Sequence, residues 1–347
     1  MPTIEDIISP AFVQGYWDQF VKENPPFLFS GQLLPARTVN SKDIDYIVGQ
    51  DIAPSLVGAS ALDSNTVFAQ RSGFDTKHIE TSYFKTGSQL DETTFDMLSE
   101  VMAHGSAAEV QVVQQRIFND SQRHINNLMR TNEVLASQAV TTGKLDYQTK
   151  DSAIHITFDY GVPANHKLTS VTSWSDPAAD IIQDIENVQD TMSDTGVVPA
   201  VAIINRKTFR YLTRNKDIIA RYSVLANLTN INSLPSQAVI DYLQQETGIQ
   251  FYVYDKTYPD VKDGTIKSFV PDDVCVFIPL DTIGYTNFSP TPDQQHSNPL
   301  VTGSSYNNLS IATFYKADPG VQMLRMGMRT VPTLEGSHAI AIMNIKH

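Results

Sequence analysis

Six carboxylates, Asp176, Asp180, Asp184, Glu186, Asp190 and Asp194, crowd one short stretch of the chain. On a helix Asp180 and Asp184 share a face, being four residues apart. Several hard oxygens in one place can hold a divalent cation, but a solvated acidic face is the simpler reading and the one adopted. The pairs Asp43–Asp45 and Asp272–Asp273 are read as turn residues. None of the 8 histidines has another at the four-residue spacing of a helical metal pair. His78 and His124 read as surface residues. Cys275, the only cysteine, falls in the apolar run Val274–Pro279 and reads as a buried structural thiol. One basic cluster stands out: Arg206, Lys207, Arg210, Arg214 and Lys216, with Phe209 and Tyr211 interleaved. It can meet phosphate, an acidic neighbour such as the 176–194 helix of another subunit, or only solvent. Phosphate-binding glycine loops, a Gly-x-Ser-x-Gly elbow and a His-Glu-x-x-His pair are all absent from the sequence. The expectation is a chain with no catalytic residues, no cofactor and no metal.

What must position these residues is an ordinary globular chain. With 347 residues it has room for about two domains. Lys and Arg number 25 against 38 Asp and Glu, a net charge of −13. That charge repels phosphate and disfavours tight binding to nucleic acid over most of the surface. A single cysteine permits no intrachain disulfide. The opening residues carry acids where a secretory signal places bases, so none is expected. No apolar run approaches the roughly 20 residues of a membrane span.

Residues 1–60 place Phe12, Tyr16, Trp17, Phe20, Phe27, Leu28 and Phe29 among Pro10, Pro25, Pro26, Pro35 and Pro54, which exclude long helices and central strands. This predicts an arm that packs on something else, with one short helix over Ser9–Val21. Residues 61–90 predict a long hairpin, with strands at 66–69 and 79–84 around a polar tip. From Asp91 to about Val140 the pattern is helical, broken at His104-Gly105-Ser106. Beyond the break Ile125, Leu128, Leu135 and Ala139 recur every three or four residues. One helix of roughly 30 residues, about 45 Å long, is expected, with Gly143 ending it in the left-handed conformation. A half-buried strand follows at 154–160. Residues 175–290 then alternate helices (from Pro177 to about Met192, Arg206–Asn215, Asp217–Tyr222, Pro235–Gly248) with strands (Val198–Asn205, Phe251–Tyr254, Val274–Pro279), as in a compact α/β domain. The tail returns to strands at 308–315, 321–329 and 339–345.

The order of these elements, with several local stretches, resembles the HK97 capsid fold, and more closely the lambda-type phage major capsid protein E family. The stretches are Glu133-Val134-Leu135-Ala136-Ser137 with Thr142-Gly143-Lys144-Leu145-Asp146-Tyr147; Ser173-Trp174-Ser175-Asp176-Pro177 followed by Asp180-Ile181; Val201-Ala202-Ile203-Ile204 with Lys207-Thr208-Phe209; and Lys316-Ala317-Asp318-Pro319 with Arg329-Thr330-Val331-Pro332. The similarity covers about residues 60–347.

The resemblance implies an α+β fold: an N-terminal arm over 1–60, an E-loop hairpin over 61–90, a spine helix and peripheral-domain strands over 91–174, an α/β axial domain over 175–290, and a return to the peripheral domain over 291–347. It implies a structural major capsid protein of a tailed bacteriophage, assembled as hexamers and pentamers into an icosahedral shell around double-stranded DNA. The family has no catalytic site. Implied partners are a separate scaffolding protein, a portal protein and a decoration protein, with only weak contact to DNA; the implied location is the virion, assembled in the host cytoplasm. Some relatives crosslink a Lys to an Asn between subunits, for which Lys77 and Lys85 are the candidates. The intersubunit contacts expected here are Phe68, Arg71, Phe74, Tyr83 and Phe84 in the hairpin and Arg206 and Arg210 in the basic cluster. Two other readings stay open: an encapsulin-type nanocompartment shell, and, in a different class, an α/β hydrolase or ligand-binding protein.

Overall fold

The structure is a computed structural model that describes residues 27–48, 75–90, 92–149, 154–226, 232–295, 301–306, 309–317 and 320–345. Chain contacts divide it into two units. The first draws on the described residues up to Ile44, on Ile79–Ala136 and on Thr286–Pro332; the second on Asp45–His78, Ser137–Tyr285 and Thr333 onward.

The first unit is built on two helices and a six-stranded sheet. Helix α1 spans Glu92–His104 and helix α2 spans Ala107–Thr142. Ser106 starts α2 by a reciprocal cap: its hydroxyl and amide both bond Glu109 Oε2, and its Oγ faces the Glu109 amide at 3.4 Å. With 36 residues α2 exceeds the expected length and runs about 54 Å. The sheet runs in the order Ala36–Thr38, Tyr285–Phe288, Gly320–Thr333, Leu309–Ala317, Val301–Tyr306, and Ser82–Leu90 also pairs with Gly320–Thr333. Alternation along Gly320–Thr333 buries Leu324, Met326, Met328 and Thr330 on one face.

The hairpin expectation changes. Its first strand, 66–69, lies outside the described residues, as does the arm helix at 9–21. The second becomes two strands, Asp75–Glu80 and Ser82–Leu90, which pair with Asp43–Val48 and Gly320–Thr333 respectively. Buried Thr81 marks the crossing point. Its amide donates to Lys42 O at 2.8 Å, and its hydroxyl lies within hydrogen-bond distance of Lys42 O and Ser289 Oγ.

The second unit is an α/β layer. Its sheet runs Lys167–Thr169, Ala341–Asn344, Val274–Ile278, Val201–Ile204, Gln250–Val253, parallel at both edges and antiparallel in the middle. Helices α3 (Ile181–Ser193), α4 (Arg206–Arg214), α5 (Lys216–Ala226) and α6 (Ser236–Thr247) supply Ile181, Ile185, Val188, Phe209, Leu212, Ile218, Val239 and Leu243 to one core with Ala202, Ile204, Cys275, Phe277 and Met343. The connection from Val201–Ile204 through α4, α5 and α6 to Gln250–Val253 is the crossover a parallel pair requires. Helix α3 begins at Ile181, later than Pro177. Asp180 is its cap and accepts from the Gln183 amide, while Pro177 sits in a turn held by Asp176. The tail divides. Its first strands join the six-stranded sheet, whereas Ala341–Asn344 enters the five-stranded sheet, where Ala341, Ile342 and Met343 are buried.

Gly143 ends α2 with φ +67, and a Cβ there would lie 2.7 Å from Val162 Cγ2. Gly143→Ala is therefore expected to destabilise the fold by about 1–3 kcal/mol, read by urea denaturation. An unchanged midpoint would contradict a left-handed helix end.

Candidate functional site

The described residues present two kinds of feature, exposed charged surfaces and buried polar ties. Among them no group of three or more His, Cys, Asp or Glu can hold a metal ion, and no helix is long and apolar enough to cross a membrane. Cys275 is fully buried, and burial alone pushes its thiol far above the ordinary range, as expected of a structural thiol.

Of the expected contact residues, Phe68, Arg71 and Phe74 lie outside the described residues. Tyr83 and Phe84 belong to the strand Ser82–Leu90 and point to opposite faces of the sheet. Tyr83 packs over Gly327, where a Cβ would lie 2.8 Å from its ring. Its hydroxyl donates to Asp293 Oδ2 at 3.1 Å. Asp293 also takes both nitrogens of an Arg325 fork, and the guanidinium stacks 4.8 Å from the centre of the Phe314 ring. Burial first, then the Asp293 charge, pushes the Tyr83 phenol up to about 12, so it stays a donor. Phe84 lies opposite Met328, which is fully buried. Both aromatics thus hold the sheet itself together.

The basic cluster falls on α4 and the start of α5. Asn205 caps α4, accepting from the Thr208 amide at 2.7 Å. Arg206 is paired with Asp255 at 2.9 Å and Lys207 with Asp272, a bond that holds the Lys207 ammonium above its ordinary range. Arg210, Arg214 and Lys216 are exposed and have no ion pair among the described residues. Beside the last two opens a groove of about 640 Å³ with Pro177, Ile219 and Ala220 on its wall.

Two surface expectations are corrected. Asp184 is not on a solvated acidic face; it is 3% exposed. It accepts the Trp174 indole N–H at 2.8 Å and the Val171 amide at 3.2 Å, which satisfy its charge inside the unit. His124 is also buried, with Nδ1 2.8 Å from the Thr86 hydroxyl. His78 does lie on the surface, 2.8 Å from Asp45. Lys77 donates to Asp159 O at 2.7 Å and sits 5.7 Å from the centre of the Phe158 ring, so both partners lie within its own chain.

The largest feature missed in the sequence is the polar content of α2's buried face. Glu133 is fully buried and accepts amides from Phe29 (3.0 Å) and Ser30 (2.7 Å), about a hundred residues earlier. These amides open the helical turn Leu28–Leu33, where backbone donors lack internal partners and a carboxylate is favoured. Asn132 accepts from the Thr330 hydroxyl at 3.1 Å. A signal existed. The positions Ser121, Ile125, Leu128, Asn132, Leu135 and Ala139 form one buried stripe, and polar Asn132 on it, with Glu133 beside it, stood out as needing partners.

Comparison with known proteins bears on this arrangement. A family profile described as phage major capsid protein E matches residues 20–307. No curated protein matches the sequence. Among solved structures, a prophage protein of E. coli CFT073 described as its capsid protein superposes with a TM-score of 0.61 at 17% identity, covering 96% of this chain and 98% of its own. The Cyanophage A-1(L) capsid gives 0.54 at 11% identity, with 92% and 91% covered. A phage-related protein from Bordetella bronchiseptica RB50 gives 0.53 at 14% identity, with 99% and 98% covered. At such identities the likeness establishes the fold.

Glu133→Ala removes both acceptors and leaves the buried Phe29 amide and the half-buried Ser30 amide without them, so a loss of about 1–3 kcal/mol is expected, with faster proteolysis around 34–42 and a smaller loss for Glu133→Gln. Unaltered proteolysis and melting would remove the tie. Acid is expected to act as well. Burial, and then His166, hold the His338 imidazole below its usual range, and burial, with Arg123 adding to it, does the same for His124. The unfolded chain then binds more protons than the folded one, so stability present above about pH 6.5 falls as pH drops below it. Melting should be lower at about pH 5.5 than at about pH 7.5, and His338→Gln should narrow the gap. An equal gap in the variant would contradict this.

Proposed function

The chain belongs to the phage major capsid protein E family, and from that premise we propose that it builds the icosahedral shell of a tailed bacteriophage around double-stranded DNA. The observation that carries the reading is the family match over residues 20–307, joined by fold similarity to capsid proteins over nearly the whole chain. The chain is a structural major capsid protein and a virion component. The family is a phage one, which favours a phage shell over a cellular nanocompartment.

In this reading copies associate as hexamers and pentamers, assembled in the host cytoplasm on a separate scaffolding protein, with a portal at one vertex and a decoration protein as a further partner. Within the arm (1–60) and the loop (61–90), the parts outside the strands and turn that join this chain's own sheets and helix reach neighbouring copies, and Phe68, Arg71 and Phe74 are the loop contacts, lying in sequence between the paired strands Asp43–Val48 and Asp75–Glu80. Tyr83 and Phe84 support that loop from inside the sheet. The α/β layer of the second unit serves as the axial domain. The net charge of −13 keeps contact with packaged DNA weak.

Sedimentation and negative-stain microscopy of the full chain, expressed alone and with a scaffolding protein encoded beside it, test the proposal. Closed shells or hexamer-sized capsomers are expected. A stable monomer or dimer under both conditions would overturn it.

A further inference from the structure

The second unit carries two exposed stripes of opposite sign that no ion pair among the described residues neutralises. On α3, Glu186, Asp190 and Asp194 repeat every four residues on the solvent side, with Gln183 and Asn187 beside them. None of the three acids has an ion pair among the described residues. Two of them crowd the C-terminal end of α3, where the helix dipole already disfavours anions and the last turn has no base. On α4, Asp255 and Asp272 neutralise Arg206 and Lys207, which leaves Arg210, Arg214 and Lys216 as the uncompensated charge. Arg210 and Arg214 lie four residues apart on one face of α4, and Lys216 follows at the start of α5.

The stripes do not meet within one copy. The start of α3 packs on the end of α4, through Asn215 Nδ2 to Ala179 O at 2.7 Å and Lys216 N to Pro177 O at 2.8 Å, yet no ion pair joins the two sets.

We propose that the acidic stripe of α3 in one copy docks on the Arg210–Arg214–Lys216 stripe of the next. The inference rests on the shell reading above and names the contact within a ring of copies. Two different patches make a heterologous contact, which repeats head to tail and closes when the rotation allows. The groove beside Arg214 and Lys216, with Pro177, Ile219 and Ala220 on its wall, receives side-chain stems from the acidic helix. Exposed ion pairs add little affinity singly. Three together set the register of neighbouring copies and make association sensitive to salt. Arg206, spent on Asp255, is not part of the contact.

The test is a charge swap in the full chain with its scaffold. One variant carries Arg210→Glu and Arg214→Glu, a second Glu186→Lys and Asp190→Lys, a third all four changes. Melting checks that each folds, and the assembled fraction is read by sedimentation. At about 0.1 M salt each two-site variant should assemble about tenfold less than the parent, and the four-site variant should recover. A neutral pair, Arg210→Gln with Arg214→Gln, should flatten the salt dependence of assembly, and it decides the question if a reversal fails to fold. Normal assembly of either two-site variant, or no recovery in a folded four-site variant, would overturn the contact. So would a basic-stripe variant that assembles normally but loses DNA, which would assign the stripe to nucleic acid. A parent chain that never assembles sinks the shell reading itself, a separate result.

Discussion

Buried polar side chains on a long helix are stabilised by partners, and three of those on α2 find theirs in distant parts of the first unit. Glu133 is the strictest case, because a carboxyl group with no exposed surface is tolerable only when hydrogen-bond partners meet it. Its donors are the amides of Phe29 and Ser30, so the chain near its start must return to a helix more than a hundred residues away. Asn132 and His124 impose the same demand on Thr330 and Thr86. Three strands or turns from distant parts of the sequence are thereby held to one helix. Greasy packing alone would tolerate a slip; a hydrogen-bonded carboxylate does not.

The second unit resolves its charges differently. Asp184 is the one acid of its stretch turned inward, where the Trp174 indole meets it. The remaining acids of α3 face solvent, as do three cations on α4 and α5. An isolated protein gains little from such separation of charge. A protein that must recognise copies of itself can use it, because opposite stripes select orientation and penalise wrong ones. The buried carboxylates therefore stabilise the subunit, and the exposed ones are available for association.

Much of the second unit was legible in the sequence. The helices at 206–214 and 236–247 and the strand at 274–278 lie within a residue or two of expectation, because their apolar spacing was regular and Asn205 and Gly248 marked ends. Gly143 was readable for the same reason. The misses share a cause. Asp184 looks identical to its neighbours in a single sequence, since the indole that satisfies it lies ten residues earlier. Glu133 gave only a faint sign, a polar residue beside an apolar stripe. The break at Thr81 depends on Lys42 and Ser289, far away in sequence. The run Ala341–Met343 is apolar throughout, and such a run does not say which sheet it enters.

Electron cryomicroscopy of particles assembled from the full chain tests the account most directly. It predicts a closed icosahedral shell in which every copy keeps Glu133 against the amides of Phe29 and Ser30, so that copies differ only in segments outside this tie. Particles without closed symmetry, or shells in which residues 28–33 have left the helix in most copies, would contradict it.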